Sequence, residues 1–216
     1  MSTKIIIIKN VCRSSLCTDI ETNPGPTFHV DPDKTISVPY SQGNQVIFGE
    51  TAGQQCLAMC LCARIYNKRQ GISSPQDLIQ IMNIGDELYS NLSHLARQSF
   101  LMFTELPSHL SVFDADYLLT YTESYSGTVL GESHIEDYQY CVPFRQAFDL
   151  LLTESYTQFI LTIDSNAVCI YLSNEGKFKI FDSHSRDKFG KSHPLGTCIL
   201  LKAKTVNNVI EHFQTS

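Results

Sequence analysis

The sequence predicts an α+β fold, and three observations lead there. Helical patterns fill 56–97, and strands dominate after 157. Those late strands are joined by short turns, so neighbours pair antiparallel. The chain has 216 residues, enough for one domain with a full core.

Residues 1–26 read as a leader outside the folded domain, and 27–216 as that domain. Lys4 followed by Ile5 to Ile8 is too short for a signal-peptide core, and Arg13 follows soon after. Asn23-Pro24-Gly25-Pro26 is a strong chain break, with two prolines that cannot donate to a ladder. From 27 to 48 the chain is mixed and carries Pro32, Pro39 and Gly43, so extended or loop structure is expected.

A helix is expected over 56–68, with Leu57, Cys60, Leu61, Arg64 and Ile65 forming a broad face. The next helix starts at Ser73-Ser74-Pro75, a cap followed by proline at the first helical position, with Asp77 in its first turn. Leu78, Ile79 and Met82 form its inner face. Gly85 reads as its end, and a further helix is expected over 86–97. The segment 98–103 suits either a strand or a helix end. A strand fits 117–123, which is rich in aromatic and β-branched residues. The segment 127–137 reads as an exposed loop. Phe144, Ala147, Phe148 and Leu151 put a helix over 143–153. Strands follow at 159–163, 167–172, 177–184 and 197–202, with a turn at Asn174-Glu175-Gly176 and a terminal helix over 206–213.

Composition narrows the function. The formal net charge is -6, against the clustered Lys and Arg that phosphate binding needs, so no nucleic-acid partner is expected. No apolar run reaches the length needed to cross a bilayer, so no membrane partner is expected either. The protein reads as an intracellular monomer whose eight cysteines are reduced thiols. Cys56, Cys60 and Cys62 form no paired C-x-x-C, so neither structural zinc nor any cofactor is expected. Cys60 and Cys62 read as small apolar residues of a buried helix.

Cys56 opens its helix, where the positive end of the backbone dipole favours thiolate. Phe178, Ile180, Asp182 and His184 share one side of a strand and are expected to face the helical layer. Asp182 can then hold one imidazole nitrogen of His184 and leave the other for the thiol. Alone, Cys56 would pass for a core residue and His184 for a satisfied polar group. His29, His94, His109, His134, His193 and His212 lack a carboxylate at comparable strand spacing.

Two resemblances add to this. Asp19-Ile20-Glu21-Thr22-Asn23-Pro24-Gly25-Pro26 resembles the ribosome-skipping signature of viral and retrotransposon polyproteins. It implies that the Gly25–Pro26 bond is often not made and that the mature chain begins at Pro26. Ser41-Gln42-Gly43-Asn44, Phe48-Gly49, Ala52-Gly53-Gln54-Gln55-Cys56 and Asp182-Ser183-His184 together resemble the herpesvirus large tegument protein deubiquitinases and their tegument-like relatives. This resemblance covers most of 40–66 and 157–190. It implies a papain-like cysteine protease fold, with a helical layer on a mainly antiparallel sheet. It implies Cys56 as nucleophile, His184 as general base and acid, and Asp182 as the orienting carboxylate. Gln42 would donate to the oxyanion. The spacing to Phe48 departs by about one residue, which leaves Gln45 as the rival. Ser185 stands where many other cysteine deubiquitinases place an aromatic, which fits the tegument-like group.

The implied partner is ubiquitin or polyubiquitin, cleaved after its terminal Gly. Asp114, Asp116, Glu123, Glu132, Glu136 and Asp137 could meet its basic tail, or could form an ordinary solvated surface. Two rivals stand beside this reading. A papain-like protease that processes its own polyprotein is disfavoured by the skipping signature, which already separates products. A silent ubiquitin-binding module has no need of the intact Cys, His, Asp and Gln set.

Overall fold

The computed structural model describes residues 2–5, 7–12, 35–121, 125–128 and 142–215. The skipping signature and Glu123, Glu132, Glu136 and Asp137 lie outside the described residues. Elements are numbered in chain order.

The expected α+β architecture is present. Helices α2 (Cys56–Arg69) and α3 (Pro75–Leu92) pack together and cover one face of a sheet. That sheet contains β7 (Gln158–Ile163), β8 (Asn166–Leu172), β9 (Phe178–Arg186) and β10 (Thr197–Ala203), all paired antiparallel. Gly176 takes φ 73° in the β8–β9 turn, a region open to glycine. α2 is buried along most of its length because it lies between α3 and the sheet.

α3 starts as expected. The Ser74 hydroxyl accepts from the Asp77 N–H at 3.3 Å, and the Asp77 carboxylate accepts from the Ser74 N–H at 2.8 Å. Gly85 does not end the helix, contrary to expectation; α3 runs through it to Leu92. The glycine is there for contact. A Cβ at this position would lie 2.8 Å from the Met59 Cα and 2.6 Å from its Cγ. It lets α3 approach the backbone of α2.

The sheet has a second cover that the helices-then-strands pattern did not separate from the first. α4 (Phe144–Thr153) and α5 (Val206–Thr215) bury Phe144, Phe148, Val209 and Phe213 against Phe159, Phe178 and Ile180. Each such side chain contributes roughly 1.5–3 kcal/mol on burial. Phe178 and Ile180 therefore face α4 and α5. The helical layer carrying Cys56 lies on the other side, against Cys169, Tyr171, Phe181 and Leu200.

The leader also departs from expectation. β1 (Ser2–Ile5) pairs parallel with β5 (Ala115–Tyr121), and β2 (Ile7–Cys12) pairs parallel with β7. The isoleucine run, too short for a signal peptide, has the β-branched composition of a strand. β2 also pairs with β6 (Tyr125–Thr128), which takes the first two residues of the expected loop at 127–137. Residues 129–141 are outside the described residues. β4 (His109–Val112) forms a hairpin with β5, and 98–103 forms neither expected element, consisting of bends that lead into a 3₁₀ turn at Phe103–Glu105.

Two features near the end of β9 position the site. β3 (Ile36–Ser37) pairs with β10, and the chain after it continues alongside the sheet. Between Asp182 and Arg186, β9 advances four residues while β10 advances two, from Ile199 to Thr197. This is a bulge, which bends a strand and re-aims its side chains. Gly196 makes room for it; a Cβ there would lie 2.4 Å from the Arg186 backbone nitrogen.

Candidate active site

Cys56 is the first residue of α2 and is 6% exposed. Its helix takes no side-chain cap from Gln55. The first N–H groups of a helix have no intrahelical partner, so this end of α2 presents donors and a positive partial charge. The segment before it is braced from α3. The Gln55 amide donates to Thr51 Oγ1 at 3.2 Å and to Asp86 Oδ1 at 2.9 Å, and the Tyr89 hydroxyl donates to Gln54 Oε1 at 2.6 Å. Gly53 takes φ 86° and donates its N–H to the Gln42 carbonyl at 2.9 Å.

His184 reaches the same place from the bulged end of β9. Asp182 Oδ1 accepts from its ring Nδ1 at 2.7 Å and from its backbone N–H at 2.9 Å. A carboxylate only accepts, so Nδ1 carries the proton and Nε2 is left for another partner. Nε2 is buried without a conventional hydrogen bond, and the Cys56 side chain interacts with the ring. In the resting arrangement the thiol donates a long bond of 3.9 Å to the Ser165 carbonyl. Ser165 lies in the β7–β8 turn, where Asp164 and Ser165 both take positive φ, 47° and 69°.

Burial alone would lower the His184 pKa. The Asp182 carboxylate and its hydrogen bond outweigh this, Cys56 adds to them, and the imidazole is pushed up to about 9. Burial alone would raise the Asp182 pKa. The charge of His184, its hydrogen bonds and the charge of Arg186 hold the carboxyl well below its ordinary range instead.

Arg186 is a part of the site that sequence reasoning missed. Its Nε donates to Asp182 Oδ2 at 2.8 Å, so the fully buried carboxylate meets a cation on each oxygen. Arg186 shares the strand phase of Asp182 and His184, and that was the available signal. His212, which has no carboxylate at comparable strand spacing, is a second such residue. It lies buried on α5 within the field of Asp182 and Arg186, and burial lowers its pKa to about 4, which keeps it neutral.

Gln42 is buried at 3% exposure and sits against β9, its N–H donating to the Ser183 carbonyl at 2.8 Å. Gln45 is exposed at the start of α1 (Gln45–Phe48). Asp114 and Asp116 are exposed in the β4–β5 hairpin. Two cavities flank the pair. Cys56 opens onto one of about 220 Å³ lined by Leu57, Leu101, Phe103 and Ala167. His184 opens onto one of about 400 Å³ lined by Asp164, Asn166, Arg186 and Ser192.

Residues 40–216 match the herpesvirus tegument protein N-terminal conserved region, and the chain belongs to that family. Among solved structures, it is similar to the ubiquitin-specific protease encoded by murine cytomegalovirus tegument protein M48, determined in complex with a ubiquitin-based suicide substrate. The TM-score is 0.66 at 14% sequence identity, over 84% of this chain and 78% of that one. At that identity the likeness is one of fold. No curated protein matches the sequence.

Proposed function

We propose that the protein is a cysteine deubiquitinase that hydrolyses the bond after the terminal Gly of ubiquitin. The observation that carries this is the meeting of Cys56, at the start of α2, with a His184 that is fixed by Asp182. Membership of the tegument family and the ubiquitin-based ligand of the M48 protease support the substrate.

The thiolate of Cys56 attacks the carbonyl carbon of the terminal Gly. The oxyanion that forms takes hydrogen bonds from the Cys56 backbone N–H and from Gln42 Nε2. Imidazolium His184 gives its proton to the leaving lysine amine, and a thioester remains. Water then attacks the thioester while His184 accepts its proton, the C–S bond breaks, and the Cys56 thiolate and imidazolium His184 are restored. The cavity at Cys56 is below the range usual for drug-sized ligands, which suits a Gly-Gly tail and excludes larger side chains. The enzyme acts as a monomer on ubiquitin or polyubiquitin, in a reducing compartment where Cys56 stays reduced.

The test is reaction with ubiquitin bearing a C-terminal electrophile, read by intact mass. One adduct is expected on the wild type and none on Cys56→Ala. An unmodified wild type, or an adduct at Cys60 or Cys62, would overturn the assignment.

A further inference from the structure

We propose that Ser183 is a positioning residue for the oxyanion donor: it holds the Gln42 amide with its oxygen inward and its Nε2 free to face the reacting carbonyl. This rests on the role given to Gln42 above.

Ser183 is fully buried, and its hydroxyl donates to Gln42 Oε1 at 3.2 Å. The contact spans 141 positions of sequence. The backbones are tied as well, since the Gln42 N–H donates to the Ser183 carbonyl and the Gln42 carbonyl accepts from Gly53. The bulge makes this possible. Ser183 to Ser185 fall where β9 is out of step with β10, and the loop carrying Gln42 docks onto β9 there.

A side-chain amide is nearly symmetric in shape, and its two ends do opposite things to an oxyanion. Nε2 donates to it, and Oε1 repels it. With Oε1 on Ser183, the hydroxyl proton has its acceptor. Exchanging the two ends would make Ser183 Oγ the acceptor and turn its own proton away to find another acceptor, at a fully buried position. The hydroxyl therefore selects the orientation that catalysis uses. Ser183 stands between Asp182 and His184, so one tripeptide orients the imidazole and also the oxyanion donor.

The experiment is a double-mutant cycle on a fluorogenic ubiquitin C-terminal amide, with Ser183→Ala, Gln42→Ala and both together. A lost oxyanion donor lowers kcat by about 10²–10³. Ser183→Ala leaves Gln42 in place but unoriented, so a loss of about 5- to 100-fold in kcat is expected, with KM within about twofold. The pH limit set by His184 should not move. The double variant should be no slower than Gln42→Ala alone, because the hydroxyl acts through that amide. Multiplicative losses, a shifted His184 limb or a wild-type kcat in Ser183→Ala would each overturn the proposal.

The Gln42 side-chain amide in ¹⁵N–¹H NMR gives a readout without substrate. It should be a single protected pair in the wild type and averaged in Ser183→Ala; unchanged resonances would overturn the clamp. An inert wild-type enzyme would sink the deubiquitinase reading and leave the NMR result to decide the clamp.

Discussion

Asp182 is fully buried and stays ionised only because each of its oxygens meets a cation, His184 on one and Arg186 on the other. The His184 pKa is pushed up to about 9 because Asp182, with a further contribution from Cys56, outweighs its burial. Asp182→Asn removes the largest opposition to burial and leaves only Cys56, so the imidazolium should be lost at a pH well below 9. The alkaline limb of kcat/KM should fall accordingly, and the rate should drop on the order of 10⁴, as in a serine triad. A limb still near 9 would mean that another group holds the ring. The same shift affects stability. The His184 contribution is fully present below about pH 6.5 and is lost as pH rises through about 9. Arg186→Met removes one of two cations from Asp182, so its pKa should rise and the acid limb should move to higher pH. Arg186→Lys should restore part of that shift, because it keeps the charge but not the Nε geometry. Gln42→Ala should lower kcat by about 10²–10³ with ubiquitin binding nearly normal, while Gln45→Ala, at an exposed site, should be mild. Steady-state kinetics on both variants checks the choice, and the reverse pattern would transfer the role to Gln45.

The pairing of α2 with α3 holds Cys56 in place. α3 supplies Asp86 and Tyr89 to the segment before Cys56, so the fit between the two helices reaches the site. Gly85 sets that fit. Gly85→Ala places a Cβ against the Met59 backbone, which cannot yield as a side chain can. A loss of about 1–3 kcal/mol is expected, a fall of several degrees in melting temperature, with lower kcat at temperatures where the variant is folded. Ser74→Ala removes the α3 cap and should cost about 1 kcal/mol, with kcat unchanged. Thermal melts of both variants separate the contact from the cap. The helix starts and the strand phases were legible in the sequence because caps and side-chain periods are local. The role of Gly85 was not legible, because a glycine that breaks a helix and one that admits a neighbour look alike until the neighbour is known.

In the whole molecule the sheet is covered on both faces, and the site lies at its end, where α2 from one layer meets the bulged end of β9. β2 lies between β7 and β6, so a chain beginning at Pro26 would lose an internal strand and expose the edge of β7. Such a chain should melt several degrees lower than the full one by calorimetry; equal melting temperatures would show that β1 and β2 add nothing to the fold. What the sequence by itself determined was the α+β class, most element positions, the place of Cys56 at a helix start and the contact of Asp182 with His184. These rest on caps, on periods of 3.6 and 2, and on motifs that are contiguous in the chain. The tertiary structure decided the rest: which layer each strand face meets, the bulge that turns His184 toward Cys56, and the contacts of Arg186 and Ser183. Those depend on the register between β9 and β10 and on a bond between positions 141 apart. Register is a property of two strands together, and no local pattern in either one encodes it.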